Sequence, residues 1–262
     1  VQTGIETEVF IHGAQCVCVS GQCRYSGLIG GRSGNRGRCA QPCRMNYDWQ
    51  GQNGAWLSPR DICVRDDLDK LCATGVHTLK IEGRLKNESY VRNVVRDYSI
   101  AIDDLVARCP ETYERGSYGQ VSGGFTPDTA KTFNRGYTEL YIDGKRGKWA
   151  SMDAAKSMGE EIGQVVSLNK DKSSVGLKLV RKDIVLNNGD GFSFVGKDSS
   201  VNGFRGDVCS GNSIRCKSTP SLYVGAKIFR NINIAFEKEI ERKACTREIR
   251  AVVSMDFIKS AE

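Results

Sequence analysis

The sequence has few of the residues on which hydrolytic enzymes rely, and it lacks a segment long enough to cross a membrane. Histidine occurs twice, as His12 and His77, and neither a His-Glu-x-x-His nor a Gly-x-Ser-x-Gly motif is present. No apolar run approaches the roughly 20 residues of a transmembrane helix. Since 39% of the 262 residues are hydrophobic and 26% are charged, disorder is not expected. The sequence therefore predicts a globular protein without a membrane partner.

Acidic residues are missing from one long stretch near the start of the chain. The net charge is +7, and no Asp or Glu occurs between Glu8 and Asp48. A solvated basic loop and a surface that faces RNA phosphates both fit such a pattern. For an RNA partner, the candidate phosphate contacts in this stretch are Arg32, Arg36, Arg38 and Arg44.

Cysteine, by contrast, is abundant and unevenly distributed. Eleven occur in the chain, and five of them fall within residues 16–43. An odd number in a chain of this length argues against a disulfide framework and favours a metal site in a reducing, cytoplasmic environment. Because the spacing lacks paired zinc knuckles, it favours a 4Fe–4S cluster, with zinc as the alternative. Cys18 is interpreted as a bystander, and the predicted ligands are Cys16, Cys23, Cys39 and Cys43.

Hydrophobic periodicity divides the chain into an α/β part and a β-rich part. Residues 9–11 are a short continuous apolar run typical of a buried parallel strand, and residues 78–81 (TLKI) are predicted to form a second strand. A short helix ending before Gly75 and a longer one capped by Asn87 complete a parallel α/β unit. Alternating runs separated by turn residues then predict a small antiparallel barrel. The predicted divisions are an α/β part over 1–108 with a cysteine-rich loop over 14–56, a linker over 109–132, a β-barrel over 133–236, and a charged helix opening a further segment over 237–262.

Three polar residues lie where the two predicted strands end. His12 follows the first strand, and Glu82 and Arg84 follow the second. Polar residues at the carboxyl ends of barrel strands face the active-site mouth, which makes these three the candidate catalytic residues. The structural alternatives are an ion pair between Glu82 and Arg84 and a strand-capping role for His12. A dyad of His12 with Cys16 or Cys23 is a weaker hypothesis, because these cysteines serve better as ligands.

Several motifs occur in the order found in one protein family. They are EVFIHGA at 8–14, SGQC at 20–23, GGRSGNRGRCAQPCR at 30–44, LSPRD at 57–61, LKIEGR at 79–84, FNRGY at 133–137 and NGDG at 188–191. Over about residues 6–235, the sequence resembles the collagenase-like peptidase family U32, and it is similar to the members that act in RNA hydroxylation.

The resemblance implies a fold and a cofactor. The implied fold is a (β/α)8 TIM-like barrel followed by a small antiparallel β-barrel, and this chain is expected to hold only the last strands of the first barrel. An N-terminal barrel region would then precede it in the whole protein. The resemblance also implies an iron–sulfur cluster on cysteines of the 14–56 loop, with Cys63 as the substitute for Cys43.

Three functions follow from the sequence. The first is an iron–sulfur enzyme that hydroxylates a pyrimidine in rRNA or tRNA, for which the resemblance implies prephenate as a co-substrate. An extruded base would stack on one of four aromatic residues, Tyr25, Tyr47, Trp49 or Trp56. The second is a peptidase that acts on a protein substrate. The third is a non-catalytic fragment in which the cluster is structural.

Overall fold

The protein is a mixed α/β structure, seen in a computed structural model that describes residues 4–19, 21–145, 147–150 and 154–256. Within these ranges the α-helices are α1 (Tyr25–Gly30), α2 (Leu68–Cys72), α3 (Glu88–Arg108) and α4 (Ile234–Arg242). The strands of the first part are β1 (Glu8–Gly13), β2 (Tyr47–Trp49), β3 (Gln52–Gly54), β4 (Asp61–Cys63), β5 (Thr78–Ile81), β6 (Gln120–Gly123) and β7 (Tyr137–Thr138). The later strands are β8 (Glu160–Leu168), β9 (Ser174–Leu179), β10 (Gly191–Val195), β11 (Val201–Arg205), β12 (Val208–Ser210), β13 (Ser213–Arg215), β14 (Lys227–Ile232) and β15 (Cys245–Glu248).

The first part is built on a four-stranded mixed sheet in the order β5-β1-β4-β7. β1 and β5 are parallel, with Val9 opposite Leu79, which confirms the predicted parallel pair. β4 is antiparallel to β1 and parallel to β7. The sequence does not predict β4 or β7, because two or three residues are too few to show a period.

The helix α3 packs against this sheet, and its N-terminus lies at the candidate site described below. Its N-cap is Asn87, as predicted, and the side chain of Asn87 accepts a hydrogen bond from the backbone N–H of Tyr90 at 3.0 Å. Tyr90, Val94 and Tyr98 follow i, i+4 spacing and belong to the same buried apolar cluster as Ile11. The turn between β5 and α3 is therefore anchored at one end by the pairing of β5 with β1 and at the other by the Asn87 cap of α3.

The second part is a curled antiparallel sheet in the order β11-β10-β14-β8-β9-β13-β12. Its strands include the alternating runs that the sequence predicts, and the residues on its inner side form an apolar core that includes Ile162, Leu177, Phe192, Phe194 and Ile228. Among the described residues the edge strands β11 and β12 do not pair with each other, so the sheet forms a half-barrel. The predicted curved antiparallel sheet is confirmed, but among the described residues the sheet does not close into a barrel.

Other contacts tie the predicted linker to its surroundings. β6 lies within residues 109–132 and pairs with β15, while the Asn93 side chain exchanges hydrogen bonds of 2.8 and 2.9 Å with the backbone of Asp128. The domain boundaries themselves stay predictions, and residues 257–262 of the last predicted segment lie outside the described residues. No described helix is both long and apolar enough to span a membrane.

Candidate functional site

A cavity of about 830 Å³ lies where the two parts of the chain meet. Its walls come from the cysteine loop near Arg44, the turn between β5 and α3, the segment before β7, and the end of β14. We refer to this cavity as the basic pocket. Of the described residues that line it, only Glu237 is acidic, whereas five are cationic: Arg44, Lys86, Lys131, Arg135 and Lys156. Such a lining attracts anionic groups.

The cysteine loop that forms one wall is built from short ordered elements. The helix α1 ends at Gly31, whose φ of 62° lies in the left-handed region that glycine adopts without strain. Two 3₁₀ turns follow, at Gly34–Arg36 and Pro42–Arg44, before the β2–β3 hairpin. The backbone N–H of Ala40 donates to Ser26 Oγ at 2.9 Å, which joins the two halves of the loop.

Three of the predicted ligands lie close together at the pocket end of the loop. Burial raises the pKa of the Cys43 thiol, Arg44 opposes this rise, and the neighbouring thiols of Cys16 and Cys39 add to it. The sulfur of Cys39 accepts a hydrogen bond from the backbone N–H of Gln41 at 3.2 Å. Hydrogen bonds of this type stabilise thiolate ligands.

Cys23 lies beside Cys18 in the same loop. Burial raises the pKa of Cys18, and the thiols of Cys23 and Cys16 add to the rise. Every cysteine that the structure describes is a free thiol. Within the described ranges, no three side chains of the types His, Cys, Asp and Glu are arranged to hold a single metal ion.

Cys63, the substitute ligand, has different neighbours. It lies on β4, where its sulfur accepts a hydrogen bond from the Tyr98 hydroxyl at 3.8 Å. Burial raises its pKa, and the other groups that act on it are Arg65, Tyr98, Asp97 and Asp66, none of which belongs to the cysteine loop. Cys43 thus has Cys16 and Cys39 among the groups that act on its pKa, whereas Cys63 does not.

The Arg44 side chain is hydrogen-bonded within the protein, whereas the sequence predicts that it contacts phosphate. Its guanidinium donates to Ser58 Oγ at 2.8 Å, to the Gln15 carbonyl at 2.8 Å and to the Pro59 carbonyl. Burial, followed by the nearby charge of Arg135, lowers its pKa. Arg44 thus joins the start and the end of the cysteine loop while it lines the basic pocket.

The other three predicted phosphate contacts have the expected exposure. Arg32, Arg36 and Arg38 are exposed on the loop. Nε of Arg32 donates to the Arg38 carbonyl at 3.1 Å, which orders this part of the surface. These arginines do not line the basic pocket, whereas Ala40 and Gln41 of the same loop do.

His12 lies in the core rather than at the open mouth that its sequence position predicts. It has no exposed surface, and its ring contacts Tyr90, Tyr98 and Tyr137 at centroid distances of 6.1, 5.6 and 5.3 Å. Neither ring nitrogen has a hydrogen-bond partner among the described residues. Burial lowers its pKa to about 4, so His12 is neutral at neutral pH. The cover of tyrosine rings from α3 and β7 is the reason for this position.

Glu82 and Arg84 are adjacent without forming an ion pair in the described part of the chain. Oε1 of Glu82 accepts a hydrogen bond from the backbone N–H of Arg84 at 2.7 Å, and the backbone N–H of Glu82 donates to the His12 carbonyl at 2.8 Å. Glu82 is half-buried and Arg84 is exposed. The carboxylate of Glu82 also acts on the pKa of Lys86, which places it near the basic pocket.

The sequence does not predict the cationic pair inside the pocket. Nζ of Lys86 lies 3.3 Å and the guanidinium carbon of Arg135 lies 4.7 Å from the ring centroid of Phe133. Arg135 also forms a buried ion pair of 3.2 Å with Asp61 on β4. The FNRGY motif contains Phe133 and Arg135 but carries no assigned role, and Lys86 lies in a turn without a pattern of its own.

Comparison with known proteins identifies the family. The chain belongs to Peptidase family U32, whose sequence model matches residues 1–151. This finding confirms the resemblance drawn from the motifs. No solved structure matches the chain.

Three curated relatives illustrate the range of names in this family. The chain is 37% identical over 79% of its length to a 23S rRNA 5-hydroxycytidine synthase of Escherichia coli. It is 32% identical over 66% of its length to a tRNA hydroxylation protein of Bacillus subtilis, and 37% identical over 55% to a collagenase of Porphyromonas gingivalis. It spans 32%, 43% and 40% of the lengths of these relatives, respectively.

Proposed function

We propose that the chain belongs to an iron–sulfur-dependent enzyme that hydroxylates a pyrimidine base in rRNA or tRNA. The observation that carries the proposal is the basic pocket, which has five cationic residues and one acidic residue among its described lining and lies beside the cysteine loop. Two of the relatives are named for hydroxylation of 23S rRNA and of tRNA. The pocket supplies a physical reason for an RNA substrate, because it pairs a cationic lining with a volume suited to one nucleotide.

RNA binding would use the pocket and its surroundings together. Arg32, Arg36 and Arg38 are exposed on the cysteine loop and would contact flanking phosphates. Trp49 lies on the β2–β3 hairpin with 60% of its surface exposed and would stack on an unpaired base. Trp56 supports it, edge to face, at a centroid distance of 5.9 Å.

The cluster would bind to the four thiols of the loop: Cys16, Cys23, Cys39 and Cys43. Three observations support this assignment. The cysteines form no disulfides and are soft donors, and the thiols of Cys16 and Cys39 act on the pKa of Cys43. The backbone N–H of Gln41 donates a hydrogen bond to the sulfur of Cys39. Because the spacing of the four cysteines in the sequence lacks paired zinc knuckles, we propose a 4Fe–4S cluster rather than zinc. A bound cluster would supply one-electron chemistry at the edge of the pocket.

The residues that follow β5 would act on the bound base. Glu82 is half-buried near Lys86 and would accept a hydrogen bond from the base edge or take up a proton. Arg84 is exposed and would hold a phosphate or the carboxylate of a co-substrate such as prephenate. His12 would position Glu82, since its carbonyl accepts the Glu82 N–H.

The proposal extends to the fold and the location of the whole protein. The parallel pair β1 and β5 under α3 would be the end of a TIM-like barrel, and β4 and β7, which run antiparallel to this pair, would lie outside its parallel strands. The abundance of free thiols is consistent with a cytoplasmic location.

The second candidate function is a peptidase, which the name of the Porphyromonas gingivalis relative favours. A cysteine peptidase needs a histidine that reaches its nucleophile. His12 is buried, and neither of its ring nitrogens is hydrogen-bonded among the described residues, so it forms no dyad with Cys16 or Cys23 there. The third candidate, a structural cluster without catalysis, predicts neither modified nucleosides nor cleaved protein.

One experiment separates the three functions. The whole protein that contains this chain is expressed in an Escherichia coli strain that lacks its own 23S rRNA 5-hydroxycytidine synthase, and the nucleosides of rRNA and tRNA are analysed by mass spectrometry. The purified protein is also tested for cleavage of casein and gelatin. We expect a hydroxylated pyrimidine nucleoside that is absent from the empty-vector strain, and no cleavage. Cleavage with unchanged nucleosides would refute the proposal in favour of the peptidase, and absence of both would favour the structural cluster.

A further inference from the structure

Two cations in the basic pocket share one aromatic ring. Nζ of Lys86 is 3.3 Å and the guanidinium carbon of Arg135 is 4.7 Å from the centroid of the Phe133 ring. The quadrupole of the ring attracts both cations, but Arg135 lowers the pKa of Lys86, so the two like charges repel each other in this partly desolvated site. An anion that contacts both cations would relieve this repulsion.

Neither cation has protein partners for all of its hydrogen-bond donors and its charge among the described residues. Only 9% of the Arg135 side chain is exposed, and although one of its terminal nitrogens pairs with Asp61, its buried Nε–H has no acceptor among the described residues. Lys86 forms no ion pair in the described part of the chain. The nearby carboxylate of Glu82 accepts the Arg84 N–H instead. A buried donor without an acceptor is costly, so the site favours a ligand that brings one.

We propose that Lys86 and Arg135 form an oxyanion site inside the basic pocket, which binds one phosphate or carboxylate group. The group would be a phosphodiester of bound RNA or the carboxylate of a free small molecule. Asn87 also lines the pocket as the N-cap of α3, so the positive end of the helix dipole adds to the attraction. The site deepens the proposed function, although it does not depend on which reaction follows.

The surroundings of Lys86 make the strength of this site dependent on pH. The pKa of Lys86 is lowered to about 8, mainly by burial and then by the charges of Arg135 and Arg44, while Asp61 and Glu82 oppose the shift. The amine therefore loses its charge as pH rises through about 8, and affinity for an oxyanion falls over the same range. A bound anion stabilises the ammonium, which moves the loss of affinity to somewhat higher pH.

The test measures binding of two probes to the full chain by titration calorimetry at about pH 7 and about pH 9.5, where both probes keep a constant charge. The probes are the dinucleotide CpC, which carries one phosphodiester, and benzoate. We expect the wild type to bind roughly tenfold more weakly at the higher pH, and Lys86→Met to bind roughly tenfold more weakly than the wild type at the lower pH. Lys86→Arg keeps its charge and should bind equally at both. Tighter binding of CpC identifies the phosphodiester as the source, and tighter binding of benzoate identifies the free carboxylate.

The matched control is Lys178→Met, which removes an exposed lysine from β9, away from the pocket. It should bind like the wild type, and circular dichroism of the variants checks that they fold. Equal affinity of Lys86→Met and Lys178→Met, no binding of either probe, or a pH dependence retained in Lys86→Arg would each overturn the inference. Failure of this test leaves nucleoside modification unaffected, so the inference and the proposed function fail separately.

Discussion

Substitution of Arg44 separates two roles of this residue: hydrogen bonding between the two ends of the cysteine loop, and contact with RNA. The guanidinium donates to Ser58 Oγ and to the carbonyls of Gln15 and Pro59. A hydrogen bond from a charged donor contributes about 1.5–3 kcal/mol, and solvent replaces part of it at a half-buried site. We therefore expect Arg44→Met to make local opening of the loop easier by about 3 kcal/mol.

The assay is alkylation of the half-buried Cys43 in metal-free protein, followed by mass spectrometry of the peptide that contains it. Easier opening by about 3 kcal/mol raises the labelling rate by up to about 100-fold. Loss of the Arg44 charge also raises the pKa of Cys43, which offsets part of this increase. Arg44→Lys keeps the charge but provides a single ammonium, so we expect a rise of about tenfold. Arg36→Lys is the control, because Arg36 is exposed, and its labelling should not change. Labelling of Arg44→Lys at the wild-type rate would show that the hydrogen bonds of Arg44 do not stabilise the cysteine loop.

Three further predictions concern RNA binding, chemistry and the cluster. Arg36→Ala and Arg38→Ala should each reduce the slope of log affinity against log salt by about 0.7–0.9 in an RNA titration, and an unchanged slope would contradict a phosphate contact. Glu82→Gln should abolish nucleoside modification with iron content intact, and retained modification would remove Glu82 from the chemistry. Cys43→Ser should lose iron and sulfide in anaerobic preparations while Cys63→Ser retains them, and the reverse result would move the fourth ligand to β4.

The elements that the sequence predicts are those with strong local signals. The parallel pair of β1 and β5 follows from the order strand, helix, strand, helix, and α3 begins where Asn87 satisfies a free backbone N–H. The strands of the half-barrel follow from alternation between turn residues. The family follows from motifs, which combine many positions into one pattern.

The basic pocket could not be predicted, because it depends on contacts between residues far apart in the chain. Asp61, Lys86 and Arg135 meet only after β4 and β7 pair and α3 packs against the sheet. The local pattern cannot show whether an arginine is free, so Arg44 resembles its exposed neighbours in the sequence. The same limit applies to His12, whose burial depends on tyrosines from α3 and β7.

The central claim is that RNA binds in the basic pocket beside the cysteine loop. Ultraviolet crosslinking of the full chain to a pyrimidine oligonucleotide, with mass spectrometry of the crosslinked peptides, tests it most directly. We predict crosslinks in peptides that contain Met45, Leu85 or Phe133, which line the pocket, or Trp49, which is exposed on the β2–β3 hairpin, and their loss when excess unlabelled RNA competes. Crosslinks confined to the half-barrel strands, or crosslinks that persist under competition, would contradict the claim.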